Sequence, residues 1–309
     1  MNPQIETLVG HMEQAIVGKR KAILLVICAM LSEGHILIED VPGVGKTRLV
    51  SALSGSVAGK FNRIQLTPDI MPSDIVGFSM IHPQTRQMEY RKGVAMCNFL
   101  LADEINRASP KVQSALLEVM EEHQISLDGV TMPLPSPFMV LATQNPVETY
   151  GTYHLPEAQM DRFLMRISMG YPEPIQELDM LTRSEDPQFH KPLTAIMSLS
   201  DISEHIEAAG QVRCVESVKR YIIELLDATR HSEYIRLGAS PRAGIALLRA
   251  AKSFAYISGR EYVVPDDVKA VLTAVLSHRL ILSPKGKSAF ADPEKLMEQI
   301  AGGVSAPVK

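Results

Sequence analysis

Apolar positions along the chain follow two rhythms, and their order predicts the architecture. Over residues 3–16 the spacing is helical: Ile5, Leu8, Val9, Met12 and Ile16 share one face, with Glu6, Glu13 and Gln14 opposite. A turn at Ile16-Val17-Gly18-Lys19 leads into residues 22–31, a helix apolar all round and therefore buried. Short apolar runs then predict strands at 36–38, 61–66, 98–102, 137–142 and 165–169. Helical stretches separate them: one after the turn near residue 45, a short one at 73–76 behind Pro72, and an amphipathic one at 110–122 that buries Val112, Leu116, Val119 and Met120. Residues 155–163 begin a further helix. Residues 125–132 make a hairpin turned by Asp128-Gly129. Residues 78–94 alternate too weakly to bury both faces, which leaves a projecting hairpin or a surface loop. The β-rich part ends at Tyr171-Pro-Glu-Pro174. Beyond it the spacing is helical at 176–183, 199–209, 215–232, 241–258 and 265–279, and a tail at 302–309 reads as disordered. The expectation is an α/β core, residues 1–170, followed by a helical domain, residues 171–309.

The chemistry concentrates where predicted strands end. Apolar residues 36–38 run into Pro42, Gly43, Val44, Gly45, Lys46, Thr47 and Arg48, and then a helix begins. Glycines let backbone N–H groups approach phosphate oxygens, and the helix N-terminus favours the same anion. Lys46 would reach the β- and γ-phosphates of a nucleoside triphosphate, and Thr47 would hold Mg²⁺. The strict loop pattern calls for glycine where Asp40 stands, so Asp40 should face away from phosphate. The run 98–102 ends in Asp103 and Glu104. Beside a phosphate loop, Asp103 would serve the metal and Glu104 would polarise a water aimed at the γ-phosphate. The run 137–142 ends in Thr143, Gln144 and Asn145; Asn145 either orients that water or caps a turn before Pro146. Val17 and Gly18 either pack on the base or form a plain helix–helix turn. Arg162 follows Asp161 and has a local ion pair as its ordinary role; a functional role needs a second subunit. Arg242 stands in the first turn of a helix begun by Ser240-Pro241. A cation is disfavoured there, so the arginine is either solvated or near an anion.

Composition narrows the setting. The chain has 309 residues, of which 46% are hydrophobic, enough for two domains. A net charge of -4 with no lysine- or arginine-dense run does not advertise nucleic-acid binding, though a local basic patch fits within such a total. Cys28, Cys97 and Cys214 lie far apart among apolar neighbours, which suits reduced thiols in the cytoplasm. No His/Cys pair has metal-ligand spacing, no signal peptide is visible, and residues 22–31 are too few to span a bilayer.

Five stretches together resemble the MoxR family of AAA+ ATPases, over nearly the whole chain. They are Glu39-Asp-Val-Pro-Gly-Val-Gly-Lys-Thr47, Leu101-Ala-Asp-Glu-Ile-Asn-Arg-Ala108, Ala142-Thr-Gln-Asn-Pro146, Leu155-Pro-Glu-Ala-Gln-Met-Asp-Arg-Phe163 and Ser240-Pro-Arg242. The second and fourth are specific to that family; the phosphate loop alone is not. Asp40 departs from the strict loop, but the family's loop commonly begins with a non-glycine. The resemblance implies an AAA+ core with β-hairpin inserts and a helical lid. Its Walker A residues would be Gly43, Gly45, Lys46 and Thr47, and its Walker B residues Asp103 and Glu104. Asn145 would be sensor 1, Arg162 the arginine finger and Arg242 sensor 2. It further implies ATP and Mg²⁺, a hexameric ring, and a separate partner carrying a von Willebrand factor A domain. Three functions follow from this reading: a motor that remodels protein complexes or assists metal-cofactor assembly, a slow nucleotide-dependent binding switch, and a nucleic-acid motor. Glu104 favours the first. The third has His82, Arg86, Arg91 and Lys92 on the 78–94 segment, set against Glu89 and the acidic total.

Overall fold

Proline and polar caps open most helices. In the computed structural model the first, α1 (Pro3–Ala15), is capped by the Asn2 side chain, which accepts from the Gln4 and Ile5 amides. The apolar α2 (Arg20–Leu31) follows. The described residues are 1–41, 43–84, 86–146, 152–153, 155–186, 189, 191–290 and 292–307. Pro42, a candidate phosphate-loop residue, lies outside them.

The core alternates strand and helix. In order come β1 (Ile36–Glu39), α3 (Lys46–Ser56), β2 (Phe61–Gln65), α4 (Pro72–Val76), the hairpin of β3 (Gly77–Ile81) and β4 (Met88–Lys92), and β5 (Phe99–Asp103). Then follow α5 (Pro110–Glu122), the hairpin of β6 (Gln124–Leu127) and β7 (Val130–Pro133), β8 (Met139–Gln144), α6 (Glu157–Met160) and β9 (Met165–Ile167). Five strands form one parallel sheet in the order β2-β5-β8-β1-β9. Buried on both faces, β5 and β8 are apolar almost throughout. Side chains alternate between two cores. Ile36, Ile38, Phe99, Leu101 and Leu141 face α1, α2 and α3, while Leu37, Leu100, Ala102 and Val140 face α5. Parallel pairing brings the ends of β1, β5 and β8 to one edge of the sheet.

Both expected hairpins are present outside the sheet. The 78–94 segment is the β3–β4 hairpin, with Phe78, Ile81 and Met88 exposed. Asp128 and Gly129 both take positive φ, as the turn between β6 and β7 requires.

The C-terminal part comprises α7 (Pro174–Ser184), α8 (Leu199–Gln211), α9 (Glu216–His231), β10 (Ile235–Leu237), α10 (Pro241–Ile257), α11 (Pro265–Leu276), β11 (Ile281–Leu282), α12 (Pro284–Ala289) and α13 (Pro293–Gly303). Ile202 of α8, Leu247 of α10 and Val271 of α11 join Ile23 and Ile27 of α2 in one continuous core.

Three expectations need correcting. The 155–163 stretch is helical only over the four residues of α6. Beyond them the carbonyls of Asp161, Phe163 and Leu164 turn to the Arg279 guanidinium instead of continuing the helix. The 265–279 helix stops at Leu276, and Ser277–Arg279 tightens into a 3₁₀ turn. Residues 302–307 are not a loose tail. Leu296 and Met297 anchor α13, which runs through Gly303, and Val304 and Ala306 pack against the core.

Candidate nucleotide site

The loop before α3 meets the strand ends as the spacing predicts. Gly43 and Gly45 hold φ of 87° and 94°, which a side-chain-bearing residue resists. Among the described residues, a Cβ at Gly43 would meet nothing within 4 Å and one at Gly45 only Met169 Cε at 3.9 Å, which leaves the loop an open cradle. Lys46, the first residue of α3, donates its ammonium to the Asp40 carbonyl at 2.5 Å and reaches the Gln144 carbonyl at 3.5 Å. Thr47 follows on the same helix.

Asp40 faces away from the cradle. Its Oδ2 accepts from the Met169 amide at 2.6 Å, the Gly170 amide at 2.9 Å and the Ser168 hydroxyl at 3.1 Å. The Lys19 ammonium takes the carbonyls of the same two residues, Met169 at 2.8 Å and Gly170 at 2.9 Å. An acid and a base thus pin the exit of β9 to the loop entrance and to the turn after α1. Nothing in the sequence marked this use of Lys19, because its partners lie 150 residues away.

The second wall of the cradle comes from β5 and β8. Asp103 ends β5 and is buried. Its carboxylate pairs with Arg63 Nε at 2.7 Å and accepts from the Thr143 hydroxyl at 3.2 Å. That hydroxyl accepts from the Glu104 amide at 3.0 Å, joining the two strand ends. Glu104 sits in the left-handed region, φ 57°, a placement worth about 1–3 kcal/mol of strain. Its Oε2 takes the Gln65 amide at 2.7 Å and Arg107 at 3.0 Å. Asn145 is buried, and its carbonyl accepts from Asn106 at 3.4 Å. Arg63, Gln65 and Arg107 escaped sequence reasoning, since each looks like an ordinary polar residue on an exposed edge.

A cleft of about 540 Å³ continues from the loop, lined by Ile16, Val17, Gly43, Val44, Gly45, Arg48, Tyr171, Met180, Leu181 and Phe189. Its apolar lining suits a planar base. Val17 is on the wall, whereas Gly18 backs onto Gln176, leaving no space for a Cβ. Arg48 stacks on the Phe189 ring at 3.7 Å and donates to the Phe189 carbonyl at 2.6 Å. Burial lowers the pKa of its guanidinium.

Arg162 and Arg242 are elsewhere. Both grip Glu121 near the end of α5: Arg162 at 2.5 Å, with a bond to the Leu117 carbonyl at 2.9 Å, and Arg242 at 2.9 Å. The pair Arg162–Asp161, the ordinary expectation, is replaced by Asp161–Arg279 at 2.6 Å. With Gly34 and His35 these arginines line a pocket at the start of β1. Lys46 is at the other end of that strand, about 16 Å of extended chain away.

Residues 35–165 match the ATPase family associated with various cellular activities (AAA), and residues 227–300 match the AAA lid domain. A Bacillus subtilis protein, uncharacterized YeaC, is 45% identical over all of this chain and 97% of its own. Chaperone MoxR1 of Mycobacterium tuberculosis is 40% identical, over 98% of this chain and 82% of that protein. The crystal structure of a putative ATPase from Cytophaga hutchinsonii superposes with a TM-score of 0.91 at 39% identity, covering 99% of this chain and 95% of that one.

Proposed function

The chain belongs to the MoxR family of AAA+ ATPases, and from that premise we propose that it hydrolyses ATP to remodel protein complexes or to assist cofactor insertion. On this reading it works in the cytoplasm as a homo-oligomeric ring, hexameric in the family, beside a separate partner bearing a von Willebrand factor A domain. The observation that carries the ATPase reading is the convergence of Lys46, Asp103 and Glu104 on one cradle at the ends of β1, β5 and β8.

The roles follow from placement. The glycine loop and Lys46 bind the β- and γ-phosphates, and Val17 and the apolar cleft hold the base. Thr47 and Asp103 would hold Mg²⁺, whose charge offsets that of the phosphates. Glu104 takes a proton from the attacking water, and Asn145 orients that water; the products are ADP and phosphate. Arg162 and Arg242 are turned away from their own cradle, so they serve the site of the next protomer. Two surface features support assembly. The α7 face beside the cleft exposes Ile175, Leu178 and Leu181, and Ile245 is exposed in the pocket of Arg162 and Arg242.

The test is a set of single variants and their mixtures. Glu104→Gln should bind ATP and lose at least about 100-fold in turnover. Lys46→Ala should lose binding. Arg162→Ala should bind normally and fall about 10³-fold, the scale of an arginine supplied in trans. Mixed with Lys46→Ala, it should regain hydrolysis, because each form supplies what the other lacks. Full-rate hydrolysis by a demonstrably monomeric sample would refute the trans assignment. A second reading, the slow switch, draws on one observation: Glu104 is engaged by Gln65 and Arg107, a geometry that favours low turnover until a partner releases it.

A further inference from the structure

The segment that carries Arg162 is held from outside itself. Of its neighbours, α6 is one short helical turn with no buried residue, and the chain from Asp161 to Leu164 has left the helix. The carbonyls in that stretch find partners in the C-terminal part. Arg279, at the end of the 3₁₀ turn after α11, has a side chain only 5% exposed. Its Nε pairs with Asp161 Oδ1 at 2.6 Å, and its remaining nitrogens reach the carbonyls of Asp161 at 3.1 Å, Phe163 at 2.7 Å and Leu164 at 3.1 Å. The same guanidinium also holds the Val275 carbonyl on α11. His278 Nε2 adds a second donor to the Phe163 carbonyl at 3.0 Å, and Phe163 itself is fully buried. The backbone on both sides of Arg162 is therefore fixed to the end of α11, while the Arg162 side chain points the other way, onto Glu121 and Leu117 of α5.

We propose that Arg279 is a positioning residue for Arg162, so that the placement of α11 in one protomer sets the competence of the site its Arg162 completes in the next. This rests on the trans role given to Arg162 above. The planar fork explains the residue type: five N–H donors in one plane serve a carboxylate and several carbonyls at once, which a lysine cannot do. Displacing a catalytic cation by about 1 Å costs up to about 100-fold in rate with little change in substrate binding. An end-of-helix clamp also gives the lid a lever on hydrolysis. A shift of α11 moves Asp161, Phe163 and Leu164 with it, and Arg162 between them.

The experiment compares Arg279→Lys and Arg279→Ala with Arg162→Ala, measuring ATP binding, kcat and KM, alone and mixed with Lys46→Ala. The expected result for Arg279→Lys is ATP binding and KM within about twofold of wild type, with kcat lowered about 10- to 100-fold. Mixing with Lys46→Ala should restore turnover, because the Lys46→Ala protomer carries an intact clamp and an intact Arg162. In a random ring about one site in four then pairs a working phosphate loop with a working neighbour. A purely structural role would not be repaired in trans. Wild-type turnover in Arg279→Lys and Arg279→Ala, with Arg162→Ala inactive, overturns the clamp and spares the trans reading. Lost turnover that mixing does not restore also overturns it, as does loss of folding or of ATP binding in both Arg279 variants. Full turnover in Arg162→Ala overturns the trans reading itself, and the clamp with it.

Discussion

Replacing Asp40 by glycine would restore the strict phosphate-loop pattern, yet it should weaken both the protein and its site. Asp40 is 8% exposed, and its Oδ2 is shared by the Met169 amide, the Gly170 amide and the Ser168 hydroxyl. Met169 is buried, so its amide would lose a charged acceptor and find no water, at about 1–3 kcal/mol. Gly170 and Ser168 are nearer solvent and recover most of their bonds. A new glycine adds about 0.5–1 kcal/mol through the freedom of the unfolded chain. The total is about 3 kcal/mol, and at about 2–4 °C per kcal/mol the melting temperature should fall by about 9 °C. Binding should suffer too. The stretch Asp40 holds carries Met169, which stands against Gly45, and the two carbonyls that Lys19 grips behind the base cleft. Loosening it should cost about 1.4 kcal/mol, or tenfold, in nucleotide affinity. Asp40→Asn keeps one acceptor oxygen in place and should show about half of each effect. Thermal melts with and without a slowly hydrolysed ATP analogue, plus calorimetric titration, measure both numbers. An Asp40→Gly protein that melts with wild type and binds the analogue as tightly would refute this role for Asp40.

Gln65→Ala removes one of the two donors on Glu104 Oε2, leaving Arg107, and should raise the basal rate of phosphate release about two- to fivefold; an unchanged rate would make the contact incidental. Replacing residues 78–94, the β3–β4 hairpin, by a Gly-Ser turn should leave ATP binding intact and abolish partner-stimulated activity, whereas a much lower melting temperature would make it a core element. His35 is buried, donating to the Met120 carbonyl and accepting from the Val140 amide, and burial lowers its pKa to about 4. The unfolded chain takes up that proton near pH 6.5 and the folded one does not, so stability is whole above pH 6.5 and drains toward pH 4, by about 2 kcal/mol at pH 5. Urea titrations at pH 7 and pH 5 should show a slope that His35→Leu flattens; an equal slope in both proteins would exclude His35 as its source.

What the sequence disclosed and what it hid divide along contact distance. The end of β5 at Asp103, the residue Asn145 just past β8, the glycine loop and the Asp128-Gly129 turn are local devices, each carried by a few adjacent residues, and each stands where its spacing put it. The contacts that tune the site are remote in sequence. Lys19 meets Met169, Arg63 meets Asp103, and Gln65 meets Glu104 only because β2, β5 and β9 lie where they do in the sheet. No single-chain periodicity encodes such pairings. Arg242 meets both alternatives that the dipole argument allows, being 61% exposed and paired with an anion; that anion is Glu121, on the polar side of the amphipathic α5. The C-terminal residues misled for the opposite reason. Small and polar residues near the chain end resemble a tail, but two buried anchors, Leu296 and Met297, suffice to dock the helix before them.

On the ring reading proposed above, Glu121 also bears on how two arginines held in one protomer would reach the site of another. Both its ion pairs are partly exposed, with side-chain exposures of 32% and 34% for Arg162–Glu121 and 61% and 34% for Arg242–Glu121. Pairs of that kind contribute about 0–1 kcal/mol each. Releasing them therefore costs little, while a bound triphosphate would offer several negative oxygens at once. Arg279 is the contrast. Its guanidinium is 5% exposed and its carboxylate partner 25%, and breaking such a pair strands a buried charge at about 3–5 kcal/mol. Of the three arginines around Glu121 and Asp161, two are held weakly enough to be handed over and one firmly enough to stay. On the ring reading, that difference in burial separates the groups that reach the neighbour from the group that aims them.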